Sequence, residues 1–279
     1  MGKKPVVGDG RNRNRRLLAL ACALVGGQAG AVFAQEEAGR GQTAEVLSAG
    51  NRLKKIEGYR YEAVSESETS EVELARFGGR KVLQGVVLNW RGEDLMRWGE
   101  MSIARKGERV AVATTGIWKP LRVWEGAERD LLKLRAARRL ASRKRPHEEV
   151  ADLESRVRDL RPPEVRRIGE EEWKGFRGTL TSEAAGAILA EPLGEAAGTL
   201  RVEIREAEGT AQVWVDENGI LREMELSSAG VIAWNVGGEE RRFRLRAIRR
   251  TRITGVEAPE ALPPDAAEIL RAESEGDDK

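Results

Sequence analysis

Cysteine and histidine are almost missing: in 279 residues there is one of each, Cys22 and His147. A Ser-His-Asp triad, a histidine-based metal site and imidazole acid-base chemistry would all rest on His147 alone. It follows Pro146 in the first turn of a charged helix, where a surface position is expected. There is no phosphate-cradling glycine loop. Asp216-Glu217-Asn218-Gly219 lacks the further ligands of a calcium loop. Glu170-Glu171-Glu172 offers carboxylates side by side, but successive residues of an extended segment point in opposite directions, which does not suit a glycosidase pair. A protein without enzymatic activity and without a cofactor or metal is expected.

Charge of one sign is also lacking. The formal net charge is +2, but residues 1–34 carry six Lys or Arg against Asp9, and the rest holds 42 basic against 45 acidic residues. A balance near −3 excludes a nucleic-acid binder working by phosphate neutralisation. Long apolar runs are missing apart from Leu17–Ala34, which Gly26, Gly27 and Gly30 interrupt. Arg11, Arg13, Arg15 and Arg16 precede that run and Val32-Phe33-Ala34 close it, the pattern of a cleaved signal peptide over residues 1–34. An uncleaved anchor, a lipidated Cys22 and twin-arginine export through Arg15-Arg16 are the alternatives. Cleavage near Ala34 leaves a chain with no thiol chemistry, suited to an oxidising periplasmic or secreted location.

What is present is alternation. In GTAQVWVDENGILREMEL (209–226), Val213 and Val215 alternate with Gln212 and Trp214, and Asn218-Gly219 supplies a tight turn. Ile220, Arg222, Met224 and Leu226 then alternate with Leu221, Glu223 and Glu225, so a β-hairpin is predicted. Further strands are predicted from Tyr59, over 81–90, at 101–104 and 109–114, at 165–168, 173–180, 202–204 and 231–236, and along 241–254. On that last strand Phe243, Leu245, Ala247 and Ile253 take one face. Arg242, Arg244, Arg246 and Arg250 take the other, as a solvated outer surface. Helices are predicted from Thr43, with the stripe Val46, Ala49, Leu53 and Ile56, and after the Thr181 cap. An amphipathic helical pair spans about 127–161, its second helix running from Pro146 along Val150, Leu153, Val157 and Leu160. Asp265 caps a short helix through Ile269, and 271–279 form a disordered tail.

Strands joined by short turns, with helices inserted, describe an antiparallel α+β protein. The segments GTLTSEAAGAIL (178–189), WVDENGILREMEL (214–226) and EAPEALPPDAAEIL (257–270) resemble the LolA/LolB-like and mycobacterial LppX/LprG-like periplasmic lipid and lipoprotein carriers, over about residues 43–270. The resemblance implies an incomplete antiparallel β-barrel, a half-barrel, over 35–270, with helices covering its concave face. It implies a lipid or lipoprotein acyl chain as the partner. The chain has neither a lipobox nor a well-defined lipoprotein-shuttling arginine.

Seven tryptophans against two tyrosines offer two readings, core packing or the lining of an apolar cavity. The cavity candidates are Trp90, Trp118, Trp124, Trp214, Met224, Trp234, Phe243 and Leu245. An open sheet with an apolar concave face must cover it with helices or with a ligand. Two functions follow: an exported monomer that binds a lipid, lipid anchor or other apolar ligand, or a non-transporting envelope sensor or scaffold that acts through a protein partner. Intact-mass measurement of the exported protein is expected to give a chain beginning at Gln35. A mass that retains residues 1–34, or an acylated chain beginning at Cys22, would overturn that processing.

Overall fold

The computed structural model describes residues 41–69, 79–125, 131–161, 163–194, 202–236, 238–257 and 261–276. The expected signal segment, residues 1–34, with Cys22 and the expected cleavage position at Ala34, lies outside the described residues. Contacts divide the chain after Gly41, and the unit from Gln42 onward carries the sheet.

Helix α1 covers residues 41–55, and its stripe Val46, Ala49 and Leu53 is buried. The strands are β1 (Gly58–Thr69), β2 (Gly79–Leu88), β3 (Glu93–Trp98), β4 (Met101–Lys106), β5 (Arg109–Thr114), β6 (Ile117–Pro120), β7 (Val157–Arg158), β8 (Glu164–Ile168), β9 (Glu171–Leu180), β10 (Glu203–Val215), β11 (Leu221–Val236) and β12 (Glu239–Gly255). All belong to one antiparallel sheet, in the order β6-β5-β4-β3-β2-β1-β12-β11-β10-β9-β7, with β8 also on β9. The centre is the β1–β12 pairing, Tyr61 opposite Ile253, which joins residues far apart in the chain. The sheet does not close on itself. This is the α+β half-barrel, open between β6 and the β7–β8 edge.

Alternation decides which face of each strand is buried. On β12, Phe243, Leu245, Ala247, Thr251 and Ile253 are buried, while Arg242, Arg244, Arg246, Arg250 and Arg252 are exposed. The β10–β11 turn is built on Asp216, whose Oδ1 accepts from Ile220 N at 2.8 Å and Oδ2 from Arg222 Nε at 2.8 Å. Gly219 adopts φ 71°, where a side chain would be strained. A register shift follows, with Val215 opposite Leu221 but Trp214 opposite Glu223. The extra residue puts Leu221 in the core beside Met224, where unbroken alternation had placed Ile220 and Arg222.

The remaining helices are α2 (Leu121–Glu125), α3 (Leu131–Ala141), α4 (Pro146–Ala151), α5 (Leu153–Arg156), α6 (Ser182–Leu193) and α7 (Pro264–Gly276). Thr181 Oγ1 caps α6 by accepting from Ala184 N at 3.2 Å. The helix expected to reach Leu160 stops at Arg156. Val157 and Arg158 instead pair with Leu180 and Thr179, because the free edge of β9 offers their backbone an alternative ladder. Helices α1, α3, α4, α5 and α6 contribute to the large core on the inner face. Helix α7 lies on the outer face, packing Leu262, Ala266 and Leu270 against Leu88, Leu95, Ala104 and Ala111. It runs beyond the predicted end at Ile269 to Gly276, and residues 277–279 lie outside the described ones.

A buried carboxylate fastens the α3–α4 arm to the sheet. Asp94, 1% exposed, accepts from Arg105 Nη2 at 2.6 Å and from Arg145 Nε at 2.7 Å. Arg105 Nη1 donates to the carbonyls of Ala141 and Arg143 at 2.6 and 2.8 Å, and Arg145 Nη2 to that of Gly92 at 2.8 Å. Removing one partner of a buried charge group strands the others. Asp94→Ala is therefore expected to cost about 3–5 kcal/mol in chemical denaturation. Glu225→Ala, which removes an exposed partner of Arg250, is expected to cost under about 1 kcal/mol. Equal losses would overturn the assignment.

Candidate binding site

Between the α3–α4 arm, α6 and the inner face of β1, β2 and β12 lies a cavity of about 880 Å³, within the usual range for ligand pockets. Its apolar wall includes Val82, Leu83, Trp98, Leu140, Ile188 and Pro192. Among the described residues its polar wall is cationic: eight Lys or Arg line it against four Asp or Glu. Each of the four acids has a cationic partner. Glu66 pairs with Arg80 at 3.2 Å, Asp152 with Lys144 at 2.6 Å, and Glu149 and Glu191 both with Arg249.

The sheet floor of the cavity is Ala247, Ile248 and Arg249 of β12. Arg249 has the parity of Leu245 and Ala247, so it points inward, and its side chain is only 11% exposed. Nη1 donates to Glu191 and Nη2 lies 3.5 Å from Glu149 Oε1. Burial opposes its charge, but Glu149 and Glu191 more than offset this, so its pKa is raised. Among the described residues Nε finds no acceptor, and neither does the buried Nη2 of Arg143, which also lines the cavity. The sequence reading missed Arg249 because four arginines around it face outward. Counting by two from Ala247 is the signal that finds it. The helix α3 contributes Arg135, Arg138 and Arg139 at helical spacing on the side that borders the cavity.

The predicted cavity residues are placed as follows. Met224, Trp234, Phe243 and Leu245 come together in the packed inner core, the rings of Trp234 and Phe243 meeting edge to face at 4.8 Å. Trp214 is buried outside that core: its ring lies against Gly175, where a Cβ would come within 2.4 Å of it, and Arg166 sits 4.1 Å above it. Trp118 packs into the cluster under α7. Trp90 is 61% exposed, with Arg91 4.0 Å from its ring. The side chain of Trp124 lies outside the described residues. None of the other seven borders the 880 Å³ cavity; among the tryptophans bordering it is Trp98. Among the described residues no three His, Cys, Asp or Glu side chains gather where they could hold a metal ion. No described helix is long and apolar enough to cross a membrane.

His147 is buried, not at the surface as its sequence context suggested. The Asp94–Arg145 tie turns the start of α4 toward the sheet, and Nδ1 meets Tyr59 Oη at 2.7 Å. Burial lowers the His147 pKa to about 4 and raises that of Tyr59 well above its ordinary value.

No protein-family model matches the chain, and neither does any curated sequence. Three of the solved structures to which the chain is similar are the following. The lipoprotein LppX of Mycobacterium tuberculosis is 13% identical, with 79% of this chain and 97% of that one covered and a TM-score of 0.38. LprF of Mycobacterium bovis is 9% identical, with 81% and 97% covered and a TM-score of 0.40. A DUF1329 family protein of Desulfovibrio piger is 7% identical, with 76% and 92% covered and a TM-score of 0.28. LppX is among the proteins that the sequence segments resemble. Likeness at these scores concerns fold and carries nothing about ligand or activity.

The buried histidine generates a pH expectation. The unfolded chain takes up a proton near 6.5, but the fold does so only near 4. Acid between these values therefore favours unfolding. Wild-type thermal stability is expected to fall more from pH 6.5 to 4 than that of His147→Phe. Parallel pH profiles would overturn the buried, neutral state of His147.

Proposed function

We propose that this is an exported envelope protein that binds the acyl chain of a lipid or a lipid anchor, without catalysing a reaction. The observation that carries the reading is the cavity of about 880 Å³ beneath the α3–α4 arm, with one wall apolar. Each methylene buried against that wall contributes roughly 0.8 kcal/mol. A contact of ten carbons reaches micromolar-class affinity after the costs of association. The arm is tied to the sheet by the Asp94 ion pairs at one end and by Ala137, Leu140 and Val150 in the core, and the cavity lies beside these contacts.

A second reading, a non-transporting sensor or scaffold acting through an envelope protein partner, draws on the other end of the inner face. There Met224, Trp234, Phe243 and Leu245 are buried in the protein's own core. Native mass spectrometry of gently purified exported protein separates the two. A stoichiometric lipid is expected on the wild type and absent from Ala187→Trp, which adds bulk at an exposed position on the cavity wall. A wild-type protein that is apo and takes up neither added phospholipid nor fatty acid would favour the scaffold.

A further inference from the structure

Resting on the acyl-chain reading of this cavity, we propose that its occupant is an anionic amphiphile. Its phosphate or carboxylate head group would be held between Arg249 on the sheet floor and Arg143 on the facing arm. Three observations support this. Among the described residues the cavity wall carries a cationic excess, eight against four, in a chain that from residue 35 onward is close to neutral. All four acids of the wall are already engaged by cations. Buried N–H groups of Arg143 and Arg249 have no acceptor among the described residues.

A guanidinium presents its donors along adjacent edges of one plane, so Arg249 can keep Glu149 and Glu191 on one edge and offer the other. A head group bearing several acceptor oxygens supplies what both arginines lack, by charge-assisted hydrogen bonds. The arginine face of α3, at Arg135, Arg138 and Arg139, adds a favourable field along the same border. The chain of the amphiphile then lies along Val82, Leu83, Leu140 and Ile188. Head group and tail thus find unlike walls of a single cavity, which a neutral hydrocarbon would use only by half.

Calorimetric titration of the exported protein with decyl phosphate, decanol and inorganic phosphate tests the proposal. Decyl phosphate is expected to bind about tenfold or more tightly than decanol. Arg143→Gln and Arg249→Lys are expected to shrink that ratio toward one. The lysine keeps a charge facing Glu149 and Glu191, so this second variant guards against loss of the fold. Equal affinity of the wild type for decyl phosphate and decanol would overturn head-group recognition while leaving the acyl-chain reading in place. Inorganic phosphate binding as tightly as decyl phosphate would overturn the amphiphile in favour of a free anion. Binding of none of the three would overturn the acyl-chain reading as well.

Discussion

The carboxylate of Asp94 is the point on which the inner side of the molecule is hung. It lies on β3 directly opposite Arg105 of β4, and Arg145 reaches it from the start of α4. The same two arginines bind the carbonyls of Ala141, Arg143 and Gly92. One buried anion therefore fixes the end of α3, the linker and the start of α4 to two strands at once. Apolar packing alone would let the arm slide, since it is non-directional. Charge-assisted hydrogen bonds prescribe position and angle. The same attachment holds Arg143 by its carbonyl and sets Arg145 two residues before His147, which is buried against Tyr59.

An open half-barrel must also decide what covers each face. Helix α6 packs onto β10, β11 and β12 with Ala185, Ile188 and Leu189, and that end of the inner face is solid protein. The arm borders the neighbouring end, where the cavity lies between α3, α6 and the strands. On the outer face α7 protects β4, β5 and β6, while the arginines of β12 and the edge at β7–β8 meet solvent. The two readings of function draw on the two halves of one surface, which differ only in how closely a helix approaches it.

The hairpin at 209–226, the burial parity of β12, the Thr181 cap and the stripe of α1 were all legible in the sequence, because each depends on spacing within a few residues. The misreadings are equally local in origin. A bulge at Arg222 moved Leu221 inward, which a count by two does not foresee. Val157 and Leu160 continue a helical stripe, but an unoccupied strand edge more than ten residues away drew Val157 into a ladder instead. His147 has the neighbours of a surface residue, and only a carboxylate fifty residues earlier turns it inward.

The sequence by itself determined an antiparallel α+β chain, which residues of each strand share a face, and the half-barrel likeness. Alternation and turn chemistry are properties of short segments, and they survive without knowledge of neighbours. Only the tertiary structure placed Met224, Trp234, Phe243 and Leu245 in the packed core and brought Arg249 and Arg143 to the wall of one cavity. A cavity is the space left between elements distant in the chain. Its walls depend on how closely those elements approach, and no spacing along the sequence encodes that distance.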